Sequence, residues 1–327
     1  MNRLESLMRR TLAALTTGAA LLAATACGSP EADSDSGGLT TVTAGVIPIV
    51  DVAPVYLGVD QGFFEEHGID LRLESSSGGA AIVPGVVSGE FDLGFSNLVS
   101  LIVARDQGLP LTTLTNGVTT TGEQGADLGG VFVPEDSPVQ DASDLEGLTV
   151  ASNNLKNIGD TTVRQSVRAA GGDPASVEFI ELPFPDMPAA LDSGQVDAVW
   201  AVEPFASIIR QAGHREIASN FVDTHPELSV AAYFTSEQRL AEDPELFADI
   251  TAALEESLAY AQDNPDEVRR IISTYTEIEQ SVIDELVLPR FPADINQESV
   301  RTLAELMVTD GLIESEPELD ALYGSQE

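Results

Sequence analysis

The chain has 327 residues and a formal net charge of −39, from 54 acidic against 15 basic side chains, with 43% of its residues hydrophobic. Such a field excludes a nucleic-acid binder, which needs a basic footprint to displace counterions from phosphate. A single cysteine excludes a disulfide framework, so the fold must rest on a hydrophobic core.

The N-terminus decides the compartment. Arg3, Arg9 and Arg10 precede an apolar run from Thr11 to Ala26 that ends in small residues. A basic head and a short apolar middle predict a secretory signal peptide over residues 1–26. The run is too short and too rich in alanine to serve as a permanent membrane span. Met8, followed by Arg9 and Arg10, offers an alternative start.

Cys27 stands where the signal ends. Ala24-Thr25-Ala26 before it resembles the bacterial lipobox, departing at Ala24, where leucine is usual. The resemblance implies that Cys27 is acylated and becomes the mature first residue; the alternative is a free thiol or an intermolecular bridge. The remainder of 27–38 is Gly, Ser, Asp, Glu, Pro and Ala, a composition that cannot bury enough surface to order itself and reads as a tether. These features predict a protein outside the cytoplasm, held on the outer face of the cytoplasmic membrane by lipid.

From Leu39 the pattern alternates strands and helices, the signature of a mixed α/β fold. Strands are predicted at 39–48, 70–74, 91–96 and 111–118, with helices at 53–67, 79–90 and 97–107 between them. A second series follows: strands at 129–134, 148–152, 177–182 and 196–202, a helix at 159–170, and one capped by Asp186 that runs to Ser193. A strand at 229–235 precedes a mostly helical remainder, in which Asp243-Pro244 and Asn264-Pro265 mark helix starts. Leu246, Ile250, Leu254 and Leu258 recur every four residues as a core-facing stripe.

Four stretches resemble one family. These are Gly62-Phe63-Phe64-Glu65-Glu66-His67-Gly68-Ile69, then Val87-Ser88-Gly89-Glu90-Phe91-Asp92-Leu93-Gly94, then Asp144-Leu145-Glu146-Gly147-Leu148-Thr149-Val150, and finally Ala190-Leu191-Asp192-Ser193-Gly194-Gln195-Val196-Asp197-Ala198 leading to Glu203-Pro204-Phe205. In this order and spacing they are similar to the type II solute-binding proteins for alkanesulfonates, taurine, nitrate and thiamine-pyrimidine precursors. The resemblance spans about Leu39 to Tyr233. It implies the type II periplasmic-binding-protein fold, two α/β lobes joined by two hinge crossings near 117–129 and 223–230. Lobe one would comprise 39–118 and 229–327, and lobe two 119–228. The implied function is the solute-binding component of an ABC importer, acting as a monomer, with a small polar molecule and the membrane permease as partners. A ligand-sensing surface lipoprotein feeding a receptor fits the same residues.

Ligands of open α/β sheets lie beyond the carboxyl ends of the strands. That rule selects Asp51, Ser77, Gly78, Gly79, Ser96, Asn97, Asn154, Lys156, Asn157 and Glu203. Gly78-Gly79 and Ser96-Asn97 precede helices and could cradle an anion on free N–H groups, or be ordinary turn residues. Lys156 is the only lysine in the chain and could neutralise a sulfonate or carboxylate. Asp51 and Glu203 could accept from an amine or a protonated ring nitrogen, although Glu203 before Pro204 also suits a helix cap. Trp200, with Phe184 and Phe205, could stack a ring or simply fill the core. The ligand so predicted is a small organic molecule of sulfonate, carboxylate or aminopyrimidine character.

An enzyme is not expected. His67, His214 and His225 are not spaced to share a metal, and no serine elbow, phosphate loop or dinucleotide fingerprint is present. The family includes a eukaryotic pyrimidine synthase marked by a cysteine-rich motif, which this sequence lacks. No metal or cofactor is predicted.

Overall fold

The computed structural model describes residues 38–323; the predicted signal peptide, the predicted lipidation site Cys27 and nearly all of the expected tether lie outside the described residues. The first strands are β1 (Thr40–Val46), β2 (Ile69–Ser75), β3 (Leu93–Asn97), β4 (Leu111–Thr119) and β5 (Gly129–Val133). They are followed by β6 (Thr149–Ser152), β7 (Glu178–Glu181), β8 (Ala198–Val202), β9 (Arg215–Ala218) and β10 (Ser229–Ser236). Two five-stranded sheets result, in the orders β2-β1-β3-β10-β4 and β7-β6-β8-β5-β9. Each has a parallel core: β1 lies between β2 and β3, and β6 between β7 and β8. Each also holds one antiparallel strand, β10 in the first sheet and β5 in the second.

The chain leaves the first sheet after β4, enters the second at β5 and returns at β10. The two crossings are tied together. Thr120 N–H donates to the Leu228 carbonyl at 3.0 Å, and the Arg290 guanidinium donates to the carbonyls of Thr120 (2.8 Å) and Pro226 (3.2 Å). Strands β8 and β10 are buried along their whole length, which explains their continuous small and apolar sequences.

The helices that matter for the site are α1 (Ala53–Gln61), α2 (Phe63–Glu66), α3 (Gly79–Ser88), α4 (Leu98–Asp106) and α5 (Ile158–Ala169). Later come α6 (Met187–Asp192), α7 (Phe205–Gln211), α8 (Asn220–Thr224), α9 (Glu237–Glu242), α10 (Pro244–Asp263), α11 (Pro265–Tyr275), α12 (Gln280–Ile283) and α13 (Gln297–Thr309). Helix α13 packs against both α4 and α5, so the C-terminal region touches both halves. Among the described residues no helix is long and apolar enough to cross a membrane.

Three local expectations are corrected. The single helix expected over 53–67 is broken, because Gly62 takes a left-handed conformation (φ 86°) that ends α1 before α2 begins. Asp186 stands at the start of α6 but makes no side-chain cap bond; a 3₁₀ turn at Phe184–Asp186 precedes the helix and engages the Met187 N–H through the Phe184 carbonyl. Strand β9 and helix α8 were not anticipated. Both are short, and β9 is half-buried at every position, so it shows no alternation to read.

Helix α1 lies on α10 through a glycine. A β-carbon on Gly58 would collide with Ser257 Oγ and come within 2.7 Å of Phe64 Cε2. Gly58→Ala is expected to destabilise the fold by about 1–3 kcal/mol through overpacking. Urea unfolding measures this; an unchanged midpoint would show that the helices can part at no cost.

Candidate ligand-binding site

The carboxyl ends of both sheets face each other across one small cavity of about 30 Å³. From the first sheet and its loops it is lined by Ile47, Ile49, Asp51, Phe95, Asn97, Val230 and Ala231. From the second come Asn153, Ile158, Phe184, Trp200, Val202 and Phe221. Apolar walls with a few convergent polar groups are the usual make-up of a small-molecule site.

Of the residues singled out in the sequence, Asp51, Asn97, Phe184 and Trp200 line this cavity. Asp51 sits in a 3₁₀ turn after β1, 3% exposed, and its Oδ1 has no hydrogen-bond partner among the described residues. Burial, opposed by its own backbone N–H and helped by the Asp127 and Glu203 carboxylates, pushes its pKa up to about 7. Asn97 caps α4, its Oδ1 accepting from Ser100 N–H at 2.9 Å. Trp200 packs against Phe184 (ring centroids 5.5 Å apart) and Phe221 (6.0 Å), and its Nε1–H has no partner among the described residues.

The other predicted residues serve the frame around the cavity. Gly78 and Gly79 are required by close packing: a β-carbon on Gly78 would stand 2.5 Å from Asn154 Oδ1, and one on Gly79 would collide with Ser96 Oγ. Ser96 and Asn154 therefore fill the space in which an anion cradle was expected. Ser77 is exposed. Asn157 caps α5 in a reciprocal box with Asp160 and donates through Nδ2 to Ser100 Oγ at 2.7 Å. That bond joins the two halves directly.

Lys156 and Glu203 do not line the cavity. Lys156 is exposed and takes a left-handed backbone conformation (φ 54°), stabilised by its N–H donating to Asp160 Oδ2 at 2.9 Å. Glu203 is fully buried, and its acceptors are already engaged. It accepts from Arg210 Nη1 (2.8 Å), Ser207 Oγ (2.9 Å), Ser207 N–H (3.1 Å) and Val287 N–H (3.3 Å). Burial raises its pKa and the Arg210 guanidinium opposes the rise. Arg210 also binds Glu216 at 2.8 Å, so this side of β8 is a closed ionic network.

Further bonds span the halves: Arg168 Nη2 to Asp310 Oδ1 (2.5 Å), Gln211 Nε2 to Glu285 Oε2 (2.9 Å), and Val50 N–H to the Glu203 carbonyl (3.3 Å). The sequence reading passed over Ile47, Phe95, Phe221, Val230 and Ala231 as lining residues. Phe95 stands two positions before Asn97 on β3, so strand alternation could have found it. Phe221 lies on the unanticipated α8, and Val230 reaches the cavity only through the antiparallel placement of β10.

The family model described as NMT1/THI5 like matches residues 49–268. The chain is 25% identical over 256 residues to the formylaminopyrimidine-binding protein of Halalkalibacterium halodurans, covering 77% of this chain and 73% of that one. It is 24% identical over 229 residues to the bicarbonate-binding protein CmpA of Synechococcus elongatus, covering 58% of this chain and 51% of the relative, about half its length. Its fold superimposes on the alkanesulfonate-binding protein SsuA from Xanthomonas axonopodis pv. citri, bound to MOPS, with a TM-score of 0.73 at 15% identity, covering 86% of this chain and 98% of that one.

Asp51 sets a pH signature. A carboxyl raised in the folded state binds its proton more tightly there than in the unfolded chain, so its contribution to stability falls as pH rises between about 4 and 7. The swing is on the order of 4 kcal/mol. Asp51→Asn is expected to remove this part of the slope. Urea denaturation of both proteins across that range checks it; parallel curves would mean that Asp51 titrates normally.

Proposed function

Because this chain belongs to the NMT1/THI5-like family, we propose that it is the extracytoplasmic solute-binding component of an ABC importer, which captures a small polar organic molecule between two lobes. The observation that carries this reading is the cavity built jointly by both sheets, with apolar walls around Asp51 Oδ1 and Trp200 Nε1–H, two polar atoms without partners among the described residues. A solute could satisfy both atoms where neither half does.

The lobes comprise residues 39–118 with 229–327, and 119–228. Hinge motion at the two crossings opens the cleft. Closure forms the Asn157–Ser100 and Arg168–Asp310 bonds and removes water from around the ligand. The permease then recognises the closed form. A relative that binds formylaminopyrimidine supports a ring-bearing solute, for which Phe184 and Trp200 offer flat apolar walls. Acylation of Cys27 and the tether after it keep the monomer at the membrane, several acyl chains giving a stable anchor where one is marginal.

Trp200 is the only tryptophan in the chain and lies at the cavity wall. A solute that occupies the cleft should both raise the melting temperature and alter the intrinsic fluorescence, with matching titration midpoints. Stabilisation without a fluorescence change would move the site elsewhere. For the anchor, cells fed a labelled fatty acid should label the wild-type protein and leave Cys27→Ala unlabelled. An unlabelled wild type would refute lipidation.

A further inference from the structure

We infer that residues 276–291 form a strap that holds the cleft shut from outside it, with both ends fixed to the first half and the middle gripping the second. The inference rests on the two-lobed binding reading above and adds the element that sets how readily the lobes part.

The ends of the strap belong to the first half. It leaves α11 at Tyr275, whose ring stacks on Tyr56 of α1 with centroids 4.0 Å apart and whose hydroxyl donates to the Ile49 carbonyl at 3.0 Å. It returns at Phe291, which is buried and whose N–H donates to Gln262 Oε1 of α10 at 2.8 Å. Asn116 of β4 then donates to the next two carbonyls, through Nδ2 to Pro292 (2.8 Å) and through its backbone N–H to Ala293 (2.9 Å).

Between these anchors the chain lies along α7 of the second half. Helix α12, in the middle of the strap, packs against both α11 and α7. Gln211, the last residue of α7, donates through Nε2 to the Ser281 carbonyl (3.0 Å) and to Glu285 Oε2 (2.9 Å). At the opposite end of α7, Glu203 accepts the Val287 N–H at 3.3 Å.

The strap has little slack. Three residues beyond Val287, Arg290 exchanges backbone bonds with Thr119 and donates from its guanidinium to the carbonyls of both crossings. Three extended residues reach at most about 11 Å. The lobes therefore cannot part on this side without breaking the bonds to Gln211 and Glu203 or drawing the strap off its anchors. None of the residues that make those bonds lines the cavity. The strap thus favours closure with or without a solute, and the fraction of time it is released scales the rate of solute entry. Gln211 and Glu285 are both exposed, so their bond is weak enough for one change of charge to shift the balance.

Trp200 reports opening with no solute present. It is the only tryptophan, 2% exposed and on the cavity wall, so dissolved acrylamide reaches it when the lobes part. Acrylamide quenching is measured on the full chain. Gln211→Glu sets like charge against Glu285 and should raise the quenching constant about twofold or more. Glu285→Lys, which takes the acceptor away from the strap, should do the same. Combining the two substitutions places opposite charges together and should return the constant to the wild-type value or below. A cooperative melt near the wild-type temperature shows that a variant is folded, and either single substitution suffices if the other fails to fold. Equal quenching in wild type and folded single variants, or no recovery in the double variant, overturns the strap. Wild-type Trp200 quenched as fast as free tryptophan overturns it too, because the cleft would already stand open. No solute enters the measurement, so each of these failures leaves the solute-binding reading standing.

Discussion

Bringing two sheets together by their carboxyl edges puts loop backbone, carboxylates and amides where water is scarce, and every one of them needs a partner. The rest of the structure follows from how that demand is met. Most groups are satisfied across the junction: Asn157 by Ser100, Glu203 by Val287 N–H, and Val50 N–H by the Glu203 carbonyl. At the cavity wall, Asp51 Oδ1 and Trp200 Nε1–H are left without a partner among the described residues.

Glu203 and Asp51 show the two outcomes side by side. Both are acids buried near the ends of strands in facing halves. Glu203 has Arg210, two bonds from Ser207 and one from Val287, so its charge is neutralised and its lone pairs are taken. Truncating one member of such a network would leave the other charge buried without compensation. Asp51 has only its own backbone N–H to oppose burial, and so its proton affinity rises. A fully bonded carboxylate holds a frame in place; an unbonded one is free to take a ligand.

Glycine sets how closely the frame can draw in. At Gly79 the start of α3 rests on Ser96, and at Gly159 the first turn of α5 rests on Trp200, whose Cζ3 would lie 2.7 Å from an added β-carbon. These contacts fix the wall of the cavity from behind and keep Trp200 at its surface.

The sequence alone determined the alternation of strands and helices, because burial on one face imposes a period of two or 3.6 on each element separately. It also placed a helix start at Asn97, whose side chain caps its own turn. Four motifs in order pointed to the family. Asp51 and Asn97 could be picked out because they follow or close the carboxyl end of a strand, and that position is local; Trp200, in the middle of β8, was marked only as an aromatic that could stack a ring or fill the core. The partners of Glu203 were not legible: Val287 lies 84 residues further on and meets it only after the chain has returned to the first sheet. Nor could periodicity say that Asn154 would cover Gly78, that Lys156 would lie exposed, or that Phe221 and Val230 would reach the cleft. Periodicity reports which face of an element is buried. What lies against that face, and which buried acid is left without a partner, is decided only when the two halves meet.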